Sequence, residues 1–363
     1  MKAVEVFAPA TIANFGTGFD MFGAAIDGIG DIVHARRADS RARGVMLTRI
    51  ENNPGLDIGP NNVVTAVGKY VQEAAGENAG IELVLKKKMK IGTGMGSSAS
   101  SSVAAALAVN ELLEKPFDRD DPVILEAVAY GEKVACGSAH CDNVYPSLLG
   151  GYILIDAEGG YRKFEGSDKI WLAVIAPDLR VDTKMAREAL NKSPYKIANL
   201  VADSMALAAN NFYGRKAFSG NRYDLESLAY INKREAEVAG REWIDTAEAH
   251  KIIAKYQQGF ITVLTGVREH DAMFLGMGMM MDKIITPIRA AFIPGFDNAR
   301  EAALTAGACG FTISGSGPAM VLVAVSRECA EASARAAMDA LPMHSDVYIS
   351  TINNHGAKVT EVA

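Results

Sequence analysis

The chain has 363 residues, 49% of them hydrophobic and 22% charged, the balance of a globular protein long enough for two domains with cores of their own. A formal net charge of −6 argues against a general nucleic-acid surface, which shows a basic excess. No apolar run approaches a membrane span, MKAVEVFAPA at the N-terminus has no signal-peptide core, and the 4 cysteines lack CxxC spacing. No disulfide framework or structural zinc site is expected, and a reduced cytoplasm fits best.

In chain order, Val4 to Phe7 is expected as a short strand. It runs into a loop from Pro9 to Asp20, where Gly16 and Gly18 allow tight bending. Asp31 to Ala35 and Val45 to Ile50 are further strand candidates. Asn61 or Asn62 caps a helix with Val64, Val67, Val71 and Ala74 on one face, stopped by Gly76. Ile81, Leu83 and Leu85 alternate with Glu82 as a strand. The basic run Lys86-Lys87-Lys88 is expected to be its solvated end.

Lys90 to Val109, KIGTGMGSSASSSVAAALAV, is the stretch with the most chemistry in it. Glycine takes positive φ and lets backbone come close to a ligand. The helix that follows turns its unpaired N–H groups and positive dipole end back on the loop. Strand, glycine loop and helix N-terminus together make an anion site, most often for phosphate. No Gly-Lys-Ser/Thr follows, so this is not a Walker A motif. A dinucleotide loop would need an acidic residue at the end of the next strand, whereas Glu111 and Glu114 sit at the end of the same helix. A plain glycine turn that starts a helix would use similar residues. The reading as a phosphate site therefore needs support from elsewhere in the chain.

Pro116 is expected to stop that helix, and Pro122 to Ala135 to form a second one with Glu132 near its end. The chain leaves through Gly137 into Ser138-Ala139-His140-Cys141-Asp142-Asn143. Tyr152 to Asp156 is a strand, and Trp171 to Ala176 begins a second α/β unit. A capped helix starts at Asp182, and the region from about Ser193 to Met281 is mostly helical in pattern. Its methionine-dense GMGMMMDK (Gly276 to Lys283) is expected to fill core and has no chemical role. Cys309 to Val325 forms a hairpin around Ser314-Gly315-Ser316-Gly317-Pro318, and a helix (Glu328 to Leu341) and a strand (Asp346 to Thr351) follow. Strands alternating with helices in two blocks imply an α+β or α/β protein, without internal repeats.

PATIANFGTGFD, KIGTGMGSSASS and FTISGSGPAM resemble the three motifs of the GHMP kinases, in order. Ala10 to Gly23, His140 to Gly151, Asp182 to Leu190 and Arg289 to Gly295 are similar to the branch of that family that phosphorylates homoserine. The resemblance implies a two-domain α+β GHMP fold. Its N-terminal ATP-binding domain, 1–168, resembles ribosomal protein S5 domain 2 and is completed by the last residues, 355–363. A ferredoxin-like C-terminal domain, 169–354, carries a helical insertion near 213–271 as a surface addition, a dimer element or a lid. The implied reaction transfers the ATP γ-phosphate to the side-chain hydroxyl of L-homoserine, in threonine biosynthesis, with Mg²⁺. The expected partners are small molecules, with no nucleic acid and no membrane, and a homodimer stays open.

The same resemblance assigns roles. Lys90, Gly92, Thr93, Gly94, Met95, Gly96, Ser97, Ser98 and Ala99 would hold the nucleotide. Ser98 and Glu132 would be the Mg²⁺ ligands. Homoserine carries an ammonium, for which Asp20 is the candidate, and a carboxylate, for which Arg187 and Arg289 are candidates. Asn14, His140, Asn143, Thr183 and Gly315 would place the remaining polar atoms. Asn143, Arg187 and Arg289 are the catalytic candidates, and no catalytic base is assigned, because phosphoryl transfer is mostly positioning and charge stabilisation. Individually, the asparagines could be turn residues and the arginines could lie on solvated helix faces. Two departures stand out: Lys90 where many relatives have proline, and Ala319 after the SGSGP turn where threonine is frequent. A mevalonate kinase-like enzyme and a non-catalytic ligand sensor on the same fold are the alternatives.

Overall fold

A computed structural model describes residues 3–52, 55–137, 141–155, 160–181, 183–192 and 246–362. Strands β1 (Ala3–Ala13), β2 (Phe22–Arg37), β3 (Val45–Glu51), β4 (Ile81–Lys86), β5 (Tyr152–Ile155) and β6 (Tyr161–Phe164) share one sheet. β1, β2, β4 and β3 lie side by side, and β5 pairs with the start of β2. Only β3 and β4 run parallel, joined through helix α1 (Val63–Ala74). Asn62 caps α1 by accepting from the Val64 N–H, a contact worth about 1 kcal/mol.

Helix α2 (Ser97–Asn110) runs through the middle, packed by β1, β2, α1, α3 (Pro122–Cys136) and α4 (Cys141–Leu149). Nearly every residue of α2 is buried. A helix enclosed on all sides needs no amphipathic stripe, and its alanines and serines are small enough to admit neighbours from every direction.

The second sheet holds β7 (Trp171–Pro177), β8 (Gly310–Ile313), β9 (Met320–Ala324) and β10 (Ser345–Ser350), all antiparallel in the order β10-β7-β9-β8. This is the ferredoxin-like strand order. Between β7 and β8 come α5 (Thr183–Lys192), α6 (Thr246–Glu269), α7 (Ala272–Met280), α8 (Ile285–Ala290) and α9 (Phe296–Thr305). Helix α10 (Arg327–Asp339) links β9 to β10. A last strand, β11 (Lys358–Val362), returns to the first sheet and pairs with β1. Side chains alternate across β7: Ala173 and Ile175 face Phe296, Phe311 and Ala334. Leu172 and Val174 face a core shared with Phe15, Phe19 and Phe22 of the first motif and with Tyr256 and Phe260 of α6.

Several expectations are corrected. The loop expected from Pro9 is strand through Ala13, because Thr11 to Ala13 pair with Gly23 to Ala25 beyond a bulge. The helix before Pro116 ends at Asn110, whose side chain closes a turn by bonding both the N–H and the carbonyl of Phe117. Helix α4 was not anticipated, since Pro146 interrupts its pattern. The lysine run is not a solvated strand end, because Lys87 is buried. Met277 is 49% exposed while Met279 is buried, so only part of the methionine cluster fills core. Residues 246–269 are not a surface addition: Tyr256, Phe260, Val263, Leu264 and Val267 are buried. The preceding part of the expected insertion, 213–245, lies outside the described residues. Among the described residues no helix is long and apolar enough to cross a membrane.

Candidate active site

The glycine loop expected to hold phosphate is a series of left-handed turns. Gly92, Gly94 and Gly96 have φ of 72°, 80° and 65°, a region that side chains with a Cβ avoid. Space excludes a side chain as well. A Cβ on Gly96 would stand 1.9 Å from Thr11 Oγ1, and one on Gly94 would stand 2.5 Å from the Ser314 carbonyl oxygen. These contacts bring the three motifs together. The Thr11 N–H donates to the Met95 carbonyl at 3.1 Å. Ser314 Oγ donates to the Gly94 carbonyl at 2.6 Å, and the Ala319 N–H to the Thr93 carbonyl at 2.8 Å. Met95 and Ala99 are buried in the core, so they can face a nucleotide only through backbone.

Where the loop passes into α2, Ser98 Oγ donates to Glu132 Oε1 at 2.6 Å. Glu132 sits in the last turns of α3 and is 3% exposed. A hydroxyl and a carboxylate are hard oxygen donors of the kind Mg²⁺ takes alongside water, so this pair fits the expected ion.

Beside the loop, the first-motif turn folds back through Asn14, whose φ is 76°. Asn14 Oδ1 accepts the Asp20 N–H at 3.0 Å, and Nδ2 donates to the Gly315 carbonyl at 3.1 Å. Arg289, on α8 and 5% exposed, donates to the same carbonyl. Its guanidinium lies 5.1 Å from the centre of the Phe19 ring, a cation–π arrangement. Thus Asn14, Asp20, Gly315 and Arg289, expected around the substrate, meet at one place. Asn143, in the first turn of α4, accepts from Thr11 Oγ1 at 2.8 Å under Gly96. His140 lies outside the described residues, as do the side chains of Thr183 and Arg187 on α5.

Lys90 faces the second sheet. Its ammonium takes Asp178 Oδ1 at 2.5 Å and Asp346 Oδ2 at 3.0 Å, and the Asp178 hydrogen bond is the main influence raising its pKa. Sequence reasoning missed the cluster beneath the loop. Lys87 Nζ donates to Asp31, to Ser97 Oγ at 2.5 Å and to Ser101 Oγ at 3.1 Å. Asp31 also accepts the Lys88 N–H at 2.9 Å and Ser101 Oγ at 2.8 Å. Burial lowers the Lys87 pKa against the opposing pull of Asp31. A signal for this was present, since the alternation that buries Ile81, Leu83 and Leu85 carries on to residue 87.

The family model "GHMP kinases N terminal domain" matches residues 62–151, and "GHMP kinases C terminal" matches 265–341. The homoserine kinase of Pyrococcus abyssi is 31% identical over 326 residues, covering 88% of this chain and 87% of that protein. The chain belongs to the GHMP kinases. The homoserine kinase of Chlorobaculum tepidum is 30% identical, covering 99% of this chain and 98% of its own. Among solved structures, a homoserine kinase from Cytophaga hutchinsonii is 33% identical, with a TM-score of 0.77 over 99% of this chain and 97% of that one. In this GHMP kinase the matched N-terminal segment contains α2, the phosphate loop and Glu132, while the matched C-terminal segment contains Arg289 and Gly315.

Proposed function

We propose that the chain is a homoserine kinase acting in threonine biosynthesis, in the cytoplasm, within the 1–168 and 169–354 domain division expected above. The convergence of Asn14, Gly315 and Arg289 beside the phosphate loop carries this proposal, and the names of its relatives support it. In the reaction the bond from the γ-phosphorus to its bridging oxygen breaks and a bond to the homoserine hydroxyl oxygen forms. ADP leaves, and the hydroxyl proton passes to the transferred phosphoryl group.

The loop glycines and the start of α2 bind the phosphates through backbone N–H groups. Ser98 and Glu132 would hold Mg²⁺, which neutralises phosphate charge when bound. Arg289, with Arg187, binds the substrate carboxylate as a fork. Asp20 takes the ammonium. Asn143, fixed by Thr11, orients the hydroxyl, and His140 and Thr183 complete the acceptor pocket. Such fixing of reactants is where most of the acceleration in phosphoryl transfer arises.

ADP release with ATP and Mg²⁺ is to be measured with L-homoserine, mevalonate, galactose and no acceptor. Turnover with L-homoserine alone is expected, abolished in Glu132→Ala and Arg289→Ala. Turnover with mevalonate instead would sink the acceptor roles and leave the phosphate site standing. Tight binding without turnover would mark a sensor.

A further inference from the structure

Arg180 follows β7, and its side chain lies on the first glycine of the phosphate loop. A Cβ placed on Gly92 would stand 3.1 Å from Arg180 Cγ and 3.4 Å from its Nε. The residue is exposed, and among the described residues no carboxylate pairs with it. Its position is nonetheless set on both sides. Val181 is buried. The Asp178 N–H donates to the His344 carbonyl at 2.8 Å, and the Asp178 carboxylate holds Lys90. The two cations at this edge of the loop therefore differ: Lys90 meets two carboxylates, whereas Arg180 meets none among the described residues and lies beside the turns that present backbone to an anion.

We propose that Arg180 contacts the phosphate groups of the bound nucleotide, a cation brought to the phosphate loop by the second sheet. The proposal rests on the kinase function above, because the loop must hold a polyphosphate. A guanidinium suits this position, since its planar fork matches phosphate oxygens and stays charged at every working pH. The Lys90–Asp178 pair draws this edge of the second sheet to the loop, two residues from Arg180.

The test is calorimetric titration of the whole chain with ATP and, separately, with adenosine, in the absence of acceptor, for the wild type, Arg180→Ala and Arg180→Lys. Arg180→Ala is expected to weaken ATP about tenfold, the scale of one charge-assisted contact, and to leave adenosine unchanged. Arg180→Lys should recover part of the loss, and melting temperatures should agree because the side chain is exposed. Equal ATP affinity in wild type and Arg180→Ala overturns the contact. Equal loss for ATP and adenosine also overturns it, as the mark of a structural role. A wild type that binds no ATP fails at an earlier step and takes the kinase function with it.

Discussion

At the base of the phosphate loop Lys87 is buried against Asp31, and at its mouth Lys90 reaches Asp178 and Asp346 in solvent. The side chains are chemically identical and both meet carboxylates, yet burial gives them different weight. Lys87 and Asp31 are 3% and 0% exposed, against 54% and 48% for Lys90 and Asp178. In the interior a charge without its partner has no water to turn to. At the surface, water and salt replace a missing partner at little loss. The base thus fixes the first turn of α2, and the mouth ties the loop loosely to the second sheet.

Removing Lys87 is the harshest way to probe this contrast. Lys87→Met leaves the Asp31 carboxylate buried with its charge unmatched, and should destabilise the protein by about 3–5 kcal/mol in denaturant unfolding. A loss near zero would mean that Asp31 finds other solvation and that the base is no more rigid than the mouth. Next comes Gly96→Ala, which adds a Cβ 1.9 Å from Thr11 Oγ1 at a left-handed position. The loop must shift, and kcat/KM should fall on the order of 100-fold, the penalty of misplacing reacting groups. Wild-type rates in that variant would show that the loop adapts freely.

Lys90→Ala should barely move the unfolding midpoint, and what it does move should vanish at high salt. A loss as large as that of Lys87→Met would erase the distinction between base and mouth. Smallest of all is a pH effect. Lys90, with His344 second, holds the Asp178 carboxyl below its ordinary value of 3.8. A native pKa below the unfolded one means that this contribution is complete above 3.8 and is lost as pH falls through the lowered value. The gap in melting temperature between wild type and Asp178→Asn should therefore hold at neutral pH and close as the pH falls below 3.8. A gap that widens on acidification would contradict the pairing.

Much of the glycine loop's backbone was legible because its signals are local. Glycines at 92, 94 and 96 imply positive φ, and the alanines and serines after them imply a helix, though not that it is enclosed on all sides. Glu132 could be singled out only by resemblance, for nothing near it in sequence points to Ser98, 34 positions away. Lys87 was misread although its inward phase was visible, because a run of three lysines ordinarily marks a wet surface. Asn14 was read as a substrate ligand with a turn residue as its plain alternative. In the structure it closes the turn through Asp20 and also reaches Gly315, 301 positions on.

By itself the sequence determined what depends on neighbours along the chain: the capped start of α1, the alternation of β4, the left-handed turns of the loop and the glycine exit from α3. Tertiary structure alone decided which polar groups face one another. Ile32 of β2 is opposite Lys86 of β4, and that register sets Asp31 against Lys87, a pairing with no trace in the residues between them. The third-motif turn likewise meets the loop only because Ser314 and Ala319, at the ends of β8 and β9, bond Gly94 and Thr93 of the first sheet's loop. Backbone conformation is fixed by sterics within a few residues, whereas a contact across hundreds of residues exists only once strand order and core packing have brought its ends together.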